Sequence, residues 1–452
     1  MLVGGSPVRV LRLTPAGARQ VEGWFSGTPV PESAAARRLA RRLLDAGIAH
    51  PDLGGLARTP ADVTVVIPVR DRHAELRRCL AGLRGGVSPV IVVDDCSADP
   101  AAIAGIAAEY GARVVRRPVN GGPGAARNTG LAVARTDLVA FLDSDCVPAP
   151  GWLDRLLPHF ADPAVGAVAP RIVPHEPGMS WLARYEGASS TLDMGARPSI
   201  VRPGARVSYV PGAALVVRGE AAGPGFAEGM FVGEDVDFVW RMAAAGWRVR
   251  YEPAAAMGHQ HRVRLRSWFA RRADYGTSAA ALEELHPGSV RPLYASWWTV
   301  GAWAAALAGR PVTATALTGA ATALLARRLS RVTGERRTVA WPLAARLAGG
   351  GTLAAGRPLG SALSRTWWPL AIPAAVLVPR LRVPVAALIL APPLLDWADR
   401  RPLLGPARYV AARLLDDAAY SLGVWHGCLS RRTVRPLLPA LGSRGGRRAD
   451  GS

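Results

Sequence analysis

The feature that most constrains the fold is a regular alternation of apolar strands and helical stretches between Val63 and about Tyr251. The strands are short runs rich in β-branched residues: VTVVIPV, VIVV, VVRR and LVAFL. Strands that alternate with helices are typical of a parallel sheet with crossover helices. The sequence therefore predicts an α/β domain, which we place at residues 61–265.

The first 60 residues differ in composition and predict a small separate unit. A strand-like VRVLRL is followed by a helix that Thr14 and Pro15 open, and by a second helix from Ala35 to Ala46 that Gly47 closes. A threonine before proline and a glycine after the last turn are common helix boundaries. This order resembles a winged-helix fold, and we expect a packing subdomain rather than a DNA-binding one.

Residues 266–452 are rich in Ala, Leu, Pro and Trp and predict a helical, apolar region. The uncharged stretches 292–309 and 311–326 and the runs WWPLAIPAAVLVP and VPVAALILAPPLL are short for spanning helices, which need ~20 apolar residues. Arginines and tryptophans at their edges favour a membrane interface. We expect membrane association at the cytoplasmic face; membrane-dipping hairpins, spanning helices and ordinary buried helices remain alternatives.

Charge and cysteine content narrow the class of protein. Lys and Arg number 55 against 34 Asp and Glu, a net charge of +21, which predicts attraction to phosphorylated ligands or anionic lipid headgroups. The chain has no aromatic-studded basic motif, so we expect no nucleic acid partner. The four cysteines form no CxxC pair, which argues against a disulfide framework or a thiolate zinc site. The first ten residues have no apolar run long enough for a secretory signal.

Charged side chains stand where three predicted strands end. They are Arg70 and Asp71 after VTVVIPV, Asp94 and Asp95 after VIVV, and Asp143 and Asp145 after LVAFL. Ligands of open parallel sheets bind beyond the carboxyl ends of the strands, so we expect these carboxylates to share one crevice. Their mutual repulsion calls for a cation, and a divalent metal with a nucleotide diphosphate would satisfy them. Helix capping and Asx-turns are the local alternatives.

Two further segments add candidate site residues. NGGPGAARNTG, at 120–130, has glycines for close backbone approach and places Arg127 near the start of a helix, which favours anions; a Gly-rich turn before a surface helix is the alternative. In GEDVDFVWR, Glu234, Asp235 and Asp237 precede an amphipathic helix that leads to a strand, RVRYEP.

The segments VVIPVRDR, VVDDCSAD, NGGPGAARNTG, FLDSDCVP and GEDVDFVWR occur in the order and approximate spacing of the family 2 inverting glycosyltransferases. The chain resembles that family over about residues 62–262. The resemblance implies the GT-A fold, a Rossmann-like mixed sheet that binds nucleotide-diphospho-sugars. It also implies an enzyme that transfers a sugar to an acceptor hydroxyl in a single inverting displacement.

The same resemblance implies roles for individual residues. On the donor side it implies Pro68, Val69 and Arg70 of the first strand, Asp94 or Asp95 on the base, Asp143 and Ser144 on the ribose or diphosphate, and Arg127 beside the diphosphate. For Mg²⁺ or Mn²⁺ it implies Asp145 and His259, with His261 as the alternative to His259. For the acceptor it implies Asp235 as general base, with Glu234 and Asp237 beside it.

The N-terminal segment, the catalytic core and the Trp-rich tail together resemble the glycosyltransferases of mycofactocin biosynthesis in actinobacteria. That arrangement implies UDP-glucose as donor, glucose in β-1,4-linked chains as product and a peptide-derived redox cofactor precursor as acceptor. A membrane-associated transferase of cell-wall or extracellular polysaccharide synthesis, with a glycan acceptor, is one alternative. A non-catalytic nucleotide-sugar-binding scaffold is another.

Overall fold

The computed structural model describes residues 1–53, 63–84, 89–176, 178–261, 263–333 and 337–442. These residues belong to two compact units, Met1–Val263 and Arg264–Ser452. The predicted boundary near residue 60 falls in the stretch 54–62, which lies outside the described residues. A separate domain over residues 1–60 therefore stays a prediction.

The N-terminal segment of the first unit is a strand pair followed by two helices. In order these are β1 (Leu2–Gly4), β2 (Arg9–Leu11), α1 (Pro15–Phe25) and α2 (Ala34–Asp45). The strands are antiparallel. The side chains of Thr14 and Ser33 accept backbone N–H groups at the starts of the two helices, as good N-caps do. Leu11, Val21 and Leu43 form a small core. Both predicted helices are confirmed to within a few residues.

The rest of the first unit is built on one mixed sheet. In chain order its elements are β3 (Val63–Val69), α3 (His73–Gly82), β4 (Val90–Asp94), α4 (Pro100–Glu109), β5 (Arg113–Arg116), α5 (Gly122–Val133), β6 (Leu138–Leu142), β7 (Cys146–Pro148), α6 (Trp152–Leu156), β8 (Val165–Pro174), α7 (Trp181–Ser189), β9 (Ser199–Val201), β10 (Ala214–Arg218), α8 (Glu234–Ala244) and β11 (Arg248–His259). The predicted strands form β3, β4, β5 and β6.

The order of the strands brings the acidic turns together. The sheet runs β5-β4-β3-β6-β10-β8-β11-β7, and β9 pairs with β11. β3 lies between β4 and β6 and is parallel to both, so the carboxyl ends of all three reach the same edge. Strands β3 and β6 are buried almost throughout, as expected for strands covered on both faces. The α/β class with a Rossmann-like mixed sheet is confirmed.

Two elements differ from the expectation. Helix capping, the local alternative for Asp143 and Asp145, expects a helix over residues 150–160, but α6 ends at Leu156 and a 3₁₀ turn, Leu157–Ala161, follows. Pro158 in that turn has no N–H to continue the α-helical ladder. The strand expected over RVRYEP extends to His259, since its second half pairs with β7 and β8. His259 is therefore the last residue of a strand rather than part of the loop after it.

The second unit is mostly helical. Its elements are α9 (Leu265–Leu285), β12 (Tyr294–Ala295), α10 (Trp297–Leu307), α11 (Pro311–Thr333), α12 (Arg337–Ala344), α13 (Gly351–Ala354), α14 (Gly356–Ala362), α15 (Trp368–Leu377), α16 (Arg382–Arg400), α17 (Pro406–Ser430) and β13 (Ala440–Leu441). Helices α9 and α17 touch backbone to backbone: a Cβ added at Gly423 would lie 1.8 Å from the Ala273 carbonyl oxygen. A buried ion pair, Arg272 with Asp416 at 3.2 Å, joins the same two helices.

One segment of the second unit, Pro379–Arg400, is long and apolar enough to cross a bilayer, judged over the described residues alone. Its most apolar window has a mean hydropathy of 1.4 and is only 11% buried. A single segment of this kind is weak evidence of a membrane span, since core helices of soluble proteins can be equally long and apolar.

Candidate active site

The carboxylates at the end of β4 are held by groups of their own loop and by arginines at the end of the neighbouring strand β5. Asp94 is buried; Arg116 Nη1 donates to its Oδ2 at 2.7 Å and the Ser97 N–H donates to its Oδ1 at 2.8 Å. The second contact reaches three residues along the chain, the spacing of an N-cap bond rather than that of an Asx-turn. Asp99 caps α4 by accepting the Ala102 N–H at 2.9 Å. Asp94 is thus neutralised by an arginine before any ligand binds.

Asp95 anchors the glycine-rich turn. Its Oδ1 accepts Arg117 Nε at 2.9 Å and the Gly121 N–H at 3.0 Å, and its Oδ2 accepts the Gly122 N–H at 2.8 Å. Gly122 has a φ of 81°, and an added Cβ would lie 2.8 Å from the Phe231 ring. Only glycine fits that position without strain. Asp95 therefore fixes where α5 begins.

Arg127 links Asp143, which follows β6, to Glu234, which begins α8. Its Nη2 donates to Asp143 Oδ1 at 2.7 Å and to the Gly212 carbonyl at 3.2 Å, and its Nη1 donates to Glu234 Oε1 at 2.8 Å. Its side chain is only 3% exposed. Burial opposes the charged guanidinium, but Asp143 and Glu234 outweigh burial and raise the pKa of Arg127. This geometry favours a positioning role for Arg127 over direct contact with a diphosphate.

Asp145 lies between a cation and a histidine. Arg72 Nη1 contacts its Oδ2, and His259 Nε2 lies 3.5 Å from its Oδ1. The pairing of β7 with β11 sets this arrangement, because it places His259 opposite Cys146, the residue after Asp145. His261 instead lies 3.7 Å from Glu186 Oε2. The geometry thus favours His259 over His261 as the companion of Asp145.

Asp235 lies in the first turn of α8 and both of its oxygens accept backbone N–H groups. Oδ2 accepts from Gly212 at 2.7 Å and Oδ1 accepts from Val236 at 2.8 Å. Gly212 packs tightly against Asp235, since an added Cβ would lie 3.0 Å from Asp235 Cβ. The next residue, Ala213, accepts the Asp143 N–H at 2.9 Å. One backbone segment therefore holds both Asp143 and Asp235.

The two acidic neighbours of Asp235 are more deeply buried. Burial, followed by the charge of Asp235, raises the pKa of Glu234, although Arg127 opposes the rise. Asp237 accepts Arg241 Nε at 2.8 Å within α8 and is 2% exposed. These contacts favour structural roles for Glu234 and Asp237, so their predicted place beside the acceptor stays a prediction.

The remaining predicted residues lie at the ends of β3 and β6. Val69 is buried and its carbonyl accepts the Asp95 N–H at 2.9 Å, which ties β3 to the β4 loop. Pro68 is half-buried, Arg70 is exposed and Ser144 is buried. The structure places them at the same sheet edge as the carboxylates, and their contacts with a donor stay predictions.

The sequence interpretation missed the counter-ions. It assigned the strand-end carboxylates to a metal and a diphosphate, whereas the structure gives arginines to four of them: Arg116 to Asp94, Arg117 to Asp95, Arg127 to Asp143 and Arg72 to Asp145. The sequence could have indicated two of these arginines as partners of the β4 carboxylates. Arg116 and Arg117 follow the apolar residues of β5, the parallel neighbour of β4, and so had to reach the same edge.

The donor atoms around Asp145 suit a hard divalent cation. One ligand atom each from Asp145, Cys146 and His259 lies within 4.8 Å of the others. Carboxylate oxygen and imidazole nitrogen are accepted by Mn²⁺, and carboxylate oxygen by Mg²⁺. Burial, followed by the charges of Asp145 and Asp143, raises the pKa of the Cys146 thiol, which disfavours the thiolate that a soft metal would need. The residues present therefore fit Mg²⁺ or Mn²⁺ better than a thiolate-bound metal.

Comparison with known proteins decides the family. The profile described as glycosyl transferase family 2 matches residues 64–214, which include the ends of β3, β4 and β6. The pre-mycofactocin glycosyltransferase of Mycobacterium tuberculosis is 43% identical over 97% of this chain and 94% of its own length. The chain belongs to the family 2 glycosyltransferases. The predicted enzyme class and the predicted resemblance to the mycofactocin enzymes are confirmed.

Other relatives of this glycosyltransferase match a smaller part of it. The succinoglycan biosynthesis protein ExoW of Rhizobium meliloti is 48% identical, but over only 21% of this chain and 32% of its own length. Among solved structures, a mannosyltransferase from Pyrobaculum calidifontis in complex with GDP-Man and Mn²⁺ is 19% identical, with a TM-score of 0.40. It covers 90% of this chain and 97% of that one. A likeness of that size carries no weight for function.

Proposed function

We propose that this family 2 glycosyltransferase acts on pre-mycofactocin and transfers glucose from UDP-glucose to an acceptor hydroxyl, with inversion to a β-linkage. The supporting observation is the extent of the identity with the Mycobacterium tuberculosis protein. It covers 97% of this chain, whereas the family profile covers residues 64–214 alone. Similarity that continues through both flanking regions supports a shared acceptor as well as a shared donor fold.

The chemistry we propose needs one base and a stabilised leaving group. Asp235 would accept the proton of the acceptor hydroxyl; in support, each of its oxygens accepts one backbone hydrogen bond and keeps a further lone pair. Asp143, fixed by Arg127, orients the donor. Asp145 and His259 would hold the divalent metal, which when bound neutralises charge on the departing diphosphate.

Transfer itself can be tested directly. Purified protein is incubated with pre-mycofactocin and a panel of nucleotide sugars, the products are followed by mass spectrometry, and the anomeric configuration is read by NMR. We expect hexose addition from UDP-glucose with a β-anomer. Transfer to a lipid-linked glycan but not to pre-mycofactocin would support the polysaccharide alternative, which the partial match to ExoW favours.

Replacing Asp145 by alanine should abolish the metal dependence of nucleotide binding. The substitution removes the carboxylate of the proposed metal site, which is also the partner of Arg72. Isothermal titration with UDP, with and without Mn²⁺, measures the effect. Asp154→Ala, an exposed carboxylate on α6, is the matched control and should behave like wild type. Equal enhancement by Mn²⁺ in Asp145→Ala and wild type would contradict the assignment.

We also propose that the second unit associates with the cytoplasmic face of an anionic membrane. Apolar side chains of α15 and α16 are exposed: Leu370, Ile372, Val376, Leu377, Val383, Leu390, Leu394 and Leu395. Arg380 stands between the two helices, Arg382 and Arg400 are the first and last residues of α16, and Arg401 follows it. Apolar surface edged by cations is the pattern of interfacial binding to acidic lipids.

Charged substitutions on α16 test this membrane proposal. The triple variant Val383→Glu, Leu390→Glu and Leu394→Glu changes exposed residues, so the fold should persist while binding to phosphatidylglycerol vesicles is lost. The matched control places glutamates at three exposed apolar residues of the N-terminal segment, Val8, Phe25 and Val30. We expect the control to float with vesicles at low salt. Failure of wild type to float, or flotation of the α16 variant, would refute the proposal.

A further inference from the structure

Arg72 touches the predicted metal ligand and also reaches solvent. Its Nη1 contacts Asp145 Oδ2, and its side chain is 38% exposed against 16% for Asp145. It stands at the start of α3 without a capping hydrogen bond from its side chain. Arg127, by contrast, is buried and bridges two carboxylates. Arg72 is thus far more accessible to solvent than Arg127 is.

The guanidinium of Arg72 and a divalent cation would compete for the same carboxylate. Asp145 outweighs the opposing effect of burial and raises the pKa of Arg72, so the side chain is a permanent cation. Two cations on one carboxylate repel each other, and the divalent ion has the larger charge. A diphosphate donor brings new negative charge to the same sheet edge. Guanidinium groups pair well with phosphate oxygens, because their N–H groups match them in geometry.

We infer that Arg72 is an exchangeable counter-ion. It neutralises Asp145 while the metal is absent, leaves Asp145 when the metal binds, and then pairs with the diphosphate of the donor. The inference rests on the proposed function, which supplies both the metal and the diphosphate. Its consequence is that Arg72 weakens metal binding to the free enzyme but strengthens donor binding to the metal-loaded enzyme.

Removing the charge of Arg72 should therefore strengthen metal binding and weaken donor binding, and these opposite changes can be measured separately. Arg72→Gln removes the charge and keeps a polar side chain at an exposed position. Electron paramagnetic resonance measures free Mn²⁺ in titrations without nucleotide, and calorimetry measures UDP binding at saturating Mn²⁺. For a half-exposed pair we expect roughly 3- to 10-fold tighter Mn²⁺ binding by Arg72→Gln and roughly 3- to 10-fold weaker UDP binding. Arg72→Lys should lie between Arg72→Gln and wild type in both measurements.

Arg77→Gln is the matched control, because Arg77 lies on α3 but pairs with Glu109 at 2.8 Å, away from Asp145. It should leave both affinities at wild-type values. Mn²⁺ affinity that is equal or weaker in Arg72→Gln refutes the exchange, as does unchanged UDP affinity. If the metal site itself is wrong, neither wild type nor Arg72→Gln binds Mn²⁺. That result refutes both the metal proposal and the exchange.

Discussion

Replacing Asp235 by asparagine should lower sugar transfer by at least about a hundredfold. A general base typically contributes ~10² to 10⁴ in rate, and an amide cannot accept the acceptor's proton. That loss corresponds to roughly 3 kcal/mol or more of transition-state stabilisation. Initial rates with saturating donor and acceptor measure it. Binding of UDP should stay close to wild type, since Asp235 is assigned to the acceptor side.

The structure also predicts a stability change for this variant. The two oxygens of Asp235 accept separate N–H groups, from Gly212 and Val236, and asparagine has only one oxygen to offer. One backbone N–H loses its partner, at a cost of about 1 to 3 kcal/mol. Asp162→Asn is a suitable control, because it removes the charge that pairs with Arg248 at 3.6 Å and so also costs stability, whereas Asp162 precedes β8 at the opposite sheet edge.

The Asp162→Asn control distinguishes a loss of stability from a loss of catalytic activity. Asp162→Asn should lower the thermal midpoint and leave transfer within a few-fold of wild type. If Asp235→Asn also transfers sugar within a few-fold of wild type, the base lies elsewhere, and Glu234 and Asp237 are the next residues to test.

Replacing Arg127 by methionine should destabilise the first unit by about 3 to 5 kcal/mol. The substitution leaves the buried Glu234 and the half-buried Asp143 without their shared cation, and breaking a buried pair costs about that much. For a unit of this size the thermal midpoint should fall by roughly 6 to 20 °C. Arg171→Met is the matched control, because the pair of Arg171 with Asp193 is partly exposed and should contribute ~1 kcal/mol or less.

The defect of Arg127→Met should also depend on pH. Without Arg127, the pKa of Glu234 in the folded state rises further above its unfolded value of about 4.3. A carboxyl with a raised folded pKa costs no stability while it is protonated, below the unfolded pKa, and its cost grows as the pH rises toward the folded pKa. The midpoint difference from wild type should therefore be smaller at pH 5 than at pH 7.5. A pH-independent difference of a degree or two would show that Arg127 contributes little.

The position of the site could be predicted from the sequence because it depends on local patterns. Apolar runs marked β3, β4 and β6, and the parallel sheet then required Asp94, Asp143 and their neighbours to meet at one edge. The motif order was specific enough to indicate the glycosyltransferase family. These inferences need only periodicity and strand direction.

The electrostatics of the site could not be predicted in the same way. Arg72 and Arg127 are two among 55 basic residues, and nothing in their spacing shows which carboxylate each one meets. Arg127 reaches Glu234 across 107 positions of the chain, a contact that only tertiary folding creates. The assignment of the carboxylates to a metal overestimated the repulsion, because guanidinium groups already compensate it.

The junction of Gly212 and Ala213 has a mechanical consequence for catalysis. Gly212 holds the carboxylate of Asp235 and Ala213 holds the backbone of Asp143, just before β10 begins. Two consecutive peptide units therefore set the spacing between the groups assigned to acceptor and donor. We expect displacement of this junction to move both groups together, so that their separation changes less than the position of either. Such coupling would keep the two reacting partners aligned while the surrounding structure moves.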